Sequence, residues 1–212
     1  MAFVRRLGQF RIESLLRNTF MSRIFPSLAV VAVILMGIAF WLGWAIEDAA
    51  SMEPDKAAQV RWHFFMGLGA MVFTSLVHSI ILTYFMGTGR WLEETSKAYG
   101  LPETYFAESK KIKYRTIPLM VIGIVAIVFT GAMGAIADPA ARSSFAGWFG
   151  LTPAKTHFAI ACMAVMGNLL VHFIEFQAVV RNGRIVNAVL ADVHRIRKER
   201  GLPTEPMVPI SV

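Results

Sequence analysis

Four long apolar runs most constrain what this chain can fold into. They cover residues 25–46, 62–86, 117–136 and 157–180. A helix needs about 20 residues to cross the hydrocarbon core of a bilayer. Because backbone polar groups cannot stay unpaired in lipid, each run is predicted to be a membrane-spanning helix. The sequence therefore predicts an all-α fold, an integral membrane four-helix bundle.

The composition agrees with a membrane protein. Hydrophobic residues make up 56% of the chain, charged residues 17%, and the mean hydropathy is +0.54. A soluble domain of this length carries more charge. The single cysteine, Cys162, excludes a disulfide framework or a cysteine-ligated metal site within the chain. The net charge of +7 is dispersed over several segments, so we expect a lipid bilayer and no nucleic acid as partner.

The distribution of positive charge predicts the topology. Only four of the 21 Lys and Arg residues lie in the first and third connections between the runs, and the others lie in the two termini and the 88–116 connection. By the positive-inside rule, both termini and the 88–116 connection are cytoplasmic, and the second and fourth helices run in the same direction. We expect a multi-pass protein of the bacterial inner (plasma) membrane.

Three regions follow from this topology. Residues 1–24 are predicted to form an amphipathic helix on the cytoplasmic surface, because apolar residues recur at helical spacing among five arginines. Residues 25–181 form the four-helix membrane domain. Residues 182–212 form a cytoplasmic C-terminal tail, which includes a helix.

Four of the five histidines lie in the apolar runs, in two matching pairs. His63 and His78 are 15 residues apart, and so are His157 and His172. The two pairs are offset by 94 residues, which indicates a duplicated helix pair, although four apolar helices also match easily by chance. Ionisable side chains at membrane depth are costly and usually functional.

The spacing predicts two levels of facing histidines. Fifteen helical residues rise about 22 Å, so one metal site cannot use both histidines of a helix. In parallel helices His63 faces His157 near the outside, and His78 faces His172 deeper toward the inside. Two imidazoles make a poor zinc site, but they match the two axial positions of a haem iron.

This arrangement resembles the transmembrane cytochrome b core of quinol-oxidising complexes. The resemblance covers His63-x14-His78 and His157-x14-His172 and the four-helix order, and the family's Pro-Glu-Trp signature is absent. It implies two bis-histidine b haems and an electron-transfer subunit of a larger respiratory or photosynthetic oxidoreductase complex. The implied partners are other subunits of that complex, a quinone pool, and a c-type cytochrome or an iron–sulfur protein.

Basic residues and glycines near the histidines are candidates for contact with a haem. Arg61 and Lys155 each precede an outer histidine by two residues, so they could pair with haem propionates or simply lie at the interface. Glycines between the histidines could leave room for a macrocycle or serve helix packing (Gly67, Gly69, Gly167). Further glycines on helices one and three fit close approach of a helix or a cofactor (Gly37, Gly43, Gly123, Gly131, Gly134).

Glu175 is the one acidic residue inside an apolar run, three residues after His172. It could carry protons, hydrogen-bond a quinone, or meet solvent at the inner interface. Two functions of other classes stay open: a cofactor-free scaffold or assembly subunit whose histidines bond neighbouring helices, and a proton-coupled transporter subunit that uses the histidines and Glu175.

Overall fold

The computed structural model describes residues 19–203, with side chains from residue 24 onward, and this part of the chain is all-helical. The helices are α1 (Thr19–Trp44), α2 (Pro54–Tyr99), α3 (Thr104–Ala137) and α4 (Pro153–Glu199), with a short 3-10 helix at Pro139–Ala141. All four α-helices are long and apolar enough to cross a membrane, as predicted. Of the predicted N-terminal amphipathic helix, residues 1–18 lie outside the described residues, as do residues 204–212.

The helices form a bundle in which sequence neighbours pack side by side. α1 packs on α2, α2 on α3 and α3 on α4, and α4 closes the bundle against α1. α2 and α4 lie diagonally opposite each other. They run parallel, as the charge distribution predicts, because His63 faces His157 and His78 faces His172.

The inward and outward faces of the helices follow from side-chain size and polarity. On α1, Ala32, Met36 and Ala39 recur at helical spacing and are buried. The opposite face exposes large apolar side chains such as Val30 and Ile34, which suits contact with lipid rather than water. The other three helices expose apolar side chains in the same way.

Three of the helices are much longer than a membrane requires. α2 has 46 residues and α4 has 47, so each is roughly 70 Å long, whereas the hydrocarbon core is about 30 Å thick. Their surplus lies mainly at the predicted cytoplasmic end. There α2, α3 and α4 continue as a three-helix extension with its own apolar cluster, formed by Leu92, Leu101, Ile185 and Val189.

The extension adds helical structure beyond the predicted spans. The 88–116 connection is helical except at residues 100–103, and the helix predicted within residues 182–212 continues α4 without a break to Glu199. The hydropathy of these segments is too low to predict a membrane span. They are helical because one face of each packs in the extension, which a hydropathy scan does not detect.

The buried layers alternate along the bundle. Below the outer histidines lies an apolar layer that includes Met36, Ala70 and Ile127. Next comes the level of His78 and His172, and then a second apolar layer with Ile81, Phe85, Met120 and Val179. A polar layer follows at the start of the extension, where Asn182 bonds Ser109, Tyr84 and Thr88.

Candidate functional site

The outer histidine pair lies between the outer ends of α2 and α4. The ring centroids of His63 and His157 are 6.1 Å apart, and the ring planes are inclined by 70°. Both side chains are half-buried. The Nδ1 of His63 hydrogen-bonds the carbonyl oxygen of Ala39 on α1, at 2.9 Å. Such a bond fixes the ring and directs Nε2 away from α1, as partners of metal-binding histidines commonly do.

Each outer ring lies against a glycine of a helix that carries no histidine. A Cβ atom at Gly43 of α1 would be 2.7 Å from His63 Cε1, and one at Gly134 of α3 would be 3.0 Å from His157 Cε1. The two outer rings differ in their hydrogen bonds. His63 Nδ1 has the Ala39 carbonyl, whereas His157 Nδ1 is buried and has no hydrogen-bond partner among the described residues.

The inner pair forms a different arrangement. The rings of His78 and His172 stack with centroids 4.7 Å apart and planes inclined by only 20°. Glu175 joins them: His78 Nδ1 is 2.7 Å from Oε1, and His172 Nδ1 is 2.9 Å from Oε2. His78 Nε2 is 2.9 Å from Oδ1 of Asn168. His78, Glu175 and Asn168 are 0% exposed and His172 is 5% exposed, so this cluster is sealed from solvent.

The two levels face different neighbours because of helical phase. Fifteen residues overshoot four turns by about 60°. On α2, His63 therefore contacts α1, whereas His78 contacts Gly123 of α3, where a Cβ would be 3.1 Å from Nε2. On α4 the order is reversed: His157 lies against α3, and His172 lies edge-on to Phe25 of α1.

The structure thus brings together each predicted histidine pair and adds Glu175 to the inner one. Arg61 and Lys155 lie exposed near the outer level and form no ion pair among residues 24–203.

The proposal that Gly67, Gly69 and Gly167 make room for a macrocycle gains no support. Gly69 and Gly167 are exposed, so neither lies in the buried space between the two histidine levels. Gly67 is half-buried, and a Cβ there would meet nothing within 4 Å. The glycines that contact histidine rings are on α1 and α3 instead.

Asn168 is the main residue that the sequence analysis missed. Its signal was present, because an amide inside an apolar run, one turn before His172, must find hydrogen-bond partners in a membrane. The carbonyl of Ala39 was not predictable, since no side chain marks it.

The two levels differ in how well they fit a haem. Two axial imidazoles on one iron place their ring centres about 6 Å apart, since each Fe–N bond is about 2 Å long. The outer pair meets this distance. The inner pair is too close, and Glu175 and Asn168 occupy three of its four ring nitrogens. The ligand atoms of His78, His172 and Glu175 lie within 4.8 Å of one another, so a bare metal ion is an alternative occupant.

Comparison with protein-family models, curated proteins and solved structures gives no match to this chain, so the function rests on the site itself.

Proposed function

We propose that this chain is a membrane cytochrome of the b type, an electron-transfer subunit that holds a haem between His63 and His157. The observation that carries the proposal is the outer pair: two imidazoles from parallel, diagonal helices, 6.1 Å apart between ring centroids. A haem bound there supplies a one-electron iron couple.

The chain's own residues would hold and orient the group. The Ala39 carbonyl accepts the Nδ1 proton of His63, which leaves Nε2 as the ligand atom. Gly43 and Gly134 let α1 and α3 approach the two rings closely. Arg61 and Lys155 are at the level where haem propionates would meet the membrane surface and could pair with them.

A second haem at His78 and His172 remains a prediction from the sequence spacing. As the side chains stand, the inner pair does not fit one: the rings would have to separate from 4.7 Å to about 6 Å and give up Glu175. We therefore propose one haem per chain.

Electron exchange with a quinone pool and a partner redox protein, within a larger complex, completes the proposal. It is supported by the small extramembrane part of residues 19–203, which consists of short connections and the three-helix extension; in this proposal, partners supply and take the electrons.

Haem stoichiometry tests the proposal. The purified protein should show reduced b-type absorption bands and one haem per chain in a pyridine haemochrome assay. His63→Ala and His157→Ala should each lose the haem, whereas His194→Ala, in the extension, should keep it. Two haems per chain, one of them lost in His78→Ala, would show that the inner pair rearranges to bind haem. Folded protein without haem would favour the scaffold function.

A further inference from the structure

The inner cluster confines a carboxyl group where no solvent reaches it. Glu175 is fully buried between two imidazoles. Apolar layers lie on both sides along the bundle, one with Met36, Ala70 and Ile127 and the other with Ile81 and Phe85. An ionised carboxylate in such a place is very costly unless a positive charge or a proton neutralises it. The hydrogen-bond pattern shows how many protons the cluster holds.

Asn168 fixes the first proton. Its Nδ2 donates to the carbonyl oxygens of Ala164, at 2.8 Å, and Gly123, at 3.4 Å. These two acceptors set the orientation of the amide, so the atom facing His78 is Oδ1. An amide oxygen can only accept a hydrogen bond. His78 Nε2, at 2.9 Å, must therefore carry a proton.

The two contacts with Glu175 each require one more proton. A ring nitrogen and a carboxyl oxygen at 2.7 Å or 2.9 Å form a hydrogen bond only if one proton lies between them. The cluster thus holds three protons. For comparison, a cluster with an ionised carboxylate and two neutral imidazoles would hold only two protons and carry a charge of −1. The additional proton makes the net charge of the cluster zero, whichever side of the His78–Glu175 bond it occupies.

We propose that His78, Glu175 and His172 form a buried proton-binding site, which stores one proton in the hydrogen bond between His78 Nδ1 and Glu175 Oε1. His172 Nε2 is buried and has no hydrogen-bond partner among the described residues. A proton there would be a buried donor without an acceptor and would give the cluster a net positive charge, so we take Nε2 to be unprotonated. The site is independent of the proposed outer haem, which lies about 22 Å away along the helices.

The neighbouring helices supply no competing charge. α1 faces the cluster with Phe25, and α3 faces it with Gly123. Among the described residues, the titratable groups at this level are those of the cluster itself, on α2 and α4. Losing the stored proton would leave a buried negative charge. The stored proton therefore keeps the buried cluster electrically neutral.

Nitrogen-15 NMR of histidine-labelled full-length protein in lipid nanodiscs tests this count, with resonances assigned by single histidine substitutions. We expect His78 to carry a proton on Nε2 and a strongly hydrogen-bonded proton at Nδ1, and His172 to carry one on Nδ1 only. In Glu175→Gln the shared Nδ1 proton of His78 should be lost, while its Nε2 proton remains, because the amide can donate to Nδ1. Glu199→Gln, an exposed substitution on the same helix, should leave the spectrum unchanged.

Three results would overturn the proposal. The first is a wild-type spectrum in which His78 Nε2 carries no proton or in which His78 Nδ1 has no shared proton. This result would overturn the proposal even if Glu175→Gln fails to fold. The second is one metal ion per wild-type chain in elemental analysis, together with loss of that ion in Glu175→Gln. The third is a second haem that His78→Ala removes. Failure of the outer haem alone would leave this proposal standing, so the two proposals are tested separately.

Discussion

At the scale of single residues, the inner cluster depends on an amide whose orientation is set by backbone carbonyls. Asn168 Nδ2 donates hydrogen bonds to the carbonyl oxygens of Ala164 and Gly123, and Asn168 Oδ1 accepts one from His78. It therefore joins α2, α3 and α4 at one point inside the membrane. Replacing it disturbs the hydrogen bonding of His78 without touching Glu175.

Asn168→Leu should destabilise the protein by about 1–2 kcal/mol, because it leaves His78 Nε2 with a buried proton and no acceptor. The measurement is the free energy of unfolding in detergent. Asn187→Leu, a half-buried position on the same helix, is the matched control and should change stability much less. Equal effects of the two substitutions would show that Asn168 has no special role.

Gly43 offers a second test at this scale. A Cβ there would lie 2.7 Å from His63 Cε1, closer than real Cβ contacts, so Gly43→Ala should displace His63 and reduce haem content several-fold. At Gly37 of the same helix a Cβ meets nothing within 4 Å. Gly37→Ala should keep the haem and gain up to about 1 kcal/mol of helix stability. Haem content per folded chain, from absorption spectra, distinguishes the two; equal haem content would contradict a close contact at Gly43.

At the scale of helices, hydropathy predicted the four spans but not how far the helices continue. The runs were recognisable because lipid requires about 20 apolar residues in sequence. The extension uses amphipathic segments whose apolar residues, such as Leu92 and Val189, are interrupted by charged ones. The candidate sites were also predicted only in part. The spacing of the histidines predicted the pairs His63/His157 and His78/His172. The residues around each pair depend on the rotation of the helices and on contacts with α1 and α3, and the spacing carries no information about these.

The polar layer at Asn182 should hold the extension to the membrane domain. Asn182 accepts from Ser109 and donates to Tyr84 and Thr88, at 2.6–3.1 Å. Asn182→Ala leaves these hydroxyl groups without their buried partner, at a cost of about 1–3 kcal/mol. Amide hydrogen exchange in residues 182–199 should become faster, while exchange in residues 157–175 should not change. Uniform acceleration along α4 would mean that the layer stabilises the whole bundle.

At the scale of the whole molecule, the two helix pairs share features besides their histidines. α2 and α4 are both followed closely by Gly-Leu-Pro: Gly100 and Gly201 have φ of 65°, and the next N–H bonds back to Ser96 and Arg197. These glycines are 101 residues apart, whereas the paired histidines are 94 apart, so a duplicated helix pair stays a prediction from the sequence. Since each pair enters and leaves on the same side, residues 19 and 203, the two ends of the described part of the chain, lie toward the end of the bundle that carries the extension.

The side of the membrane on which that end lies is a prediction from charge, and single cysteines can test it. In a Cys162→Ser background, Ser144→Cys places a thiol on the exposed connection between α3 and α4, and Glu199→Cys places one at the exposed end of the extension. Because most of the Lys and Arg residues lie toward the extension, we expect a membrane-impermeant maleimide to label only Ser144→Cys in intact cells. Glu199→Cys should react only after the cells are permeabilised. If only Glu199→Cys were labelled in intact cells, the extension would lie outside the cell. The pair His63/His157 would then lie nearer the cytoplasm, and a redox partner would reach the proposed haem from the cytoplasmic side.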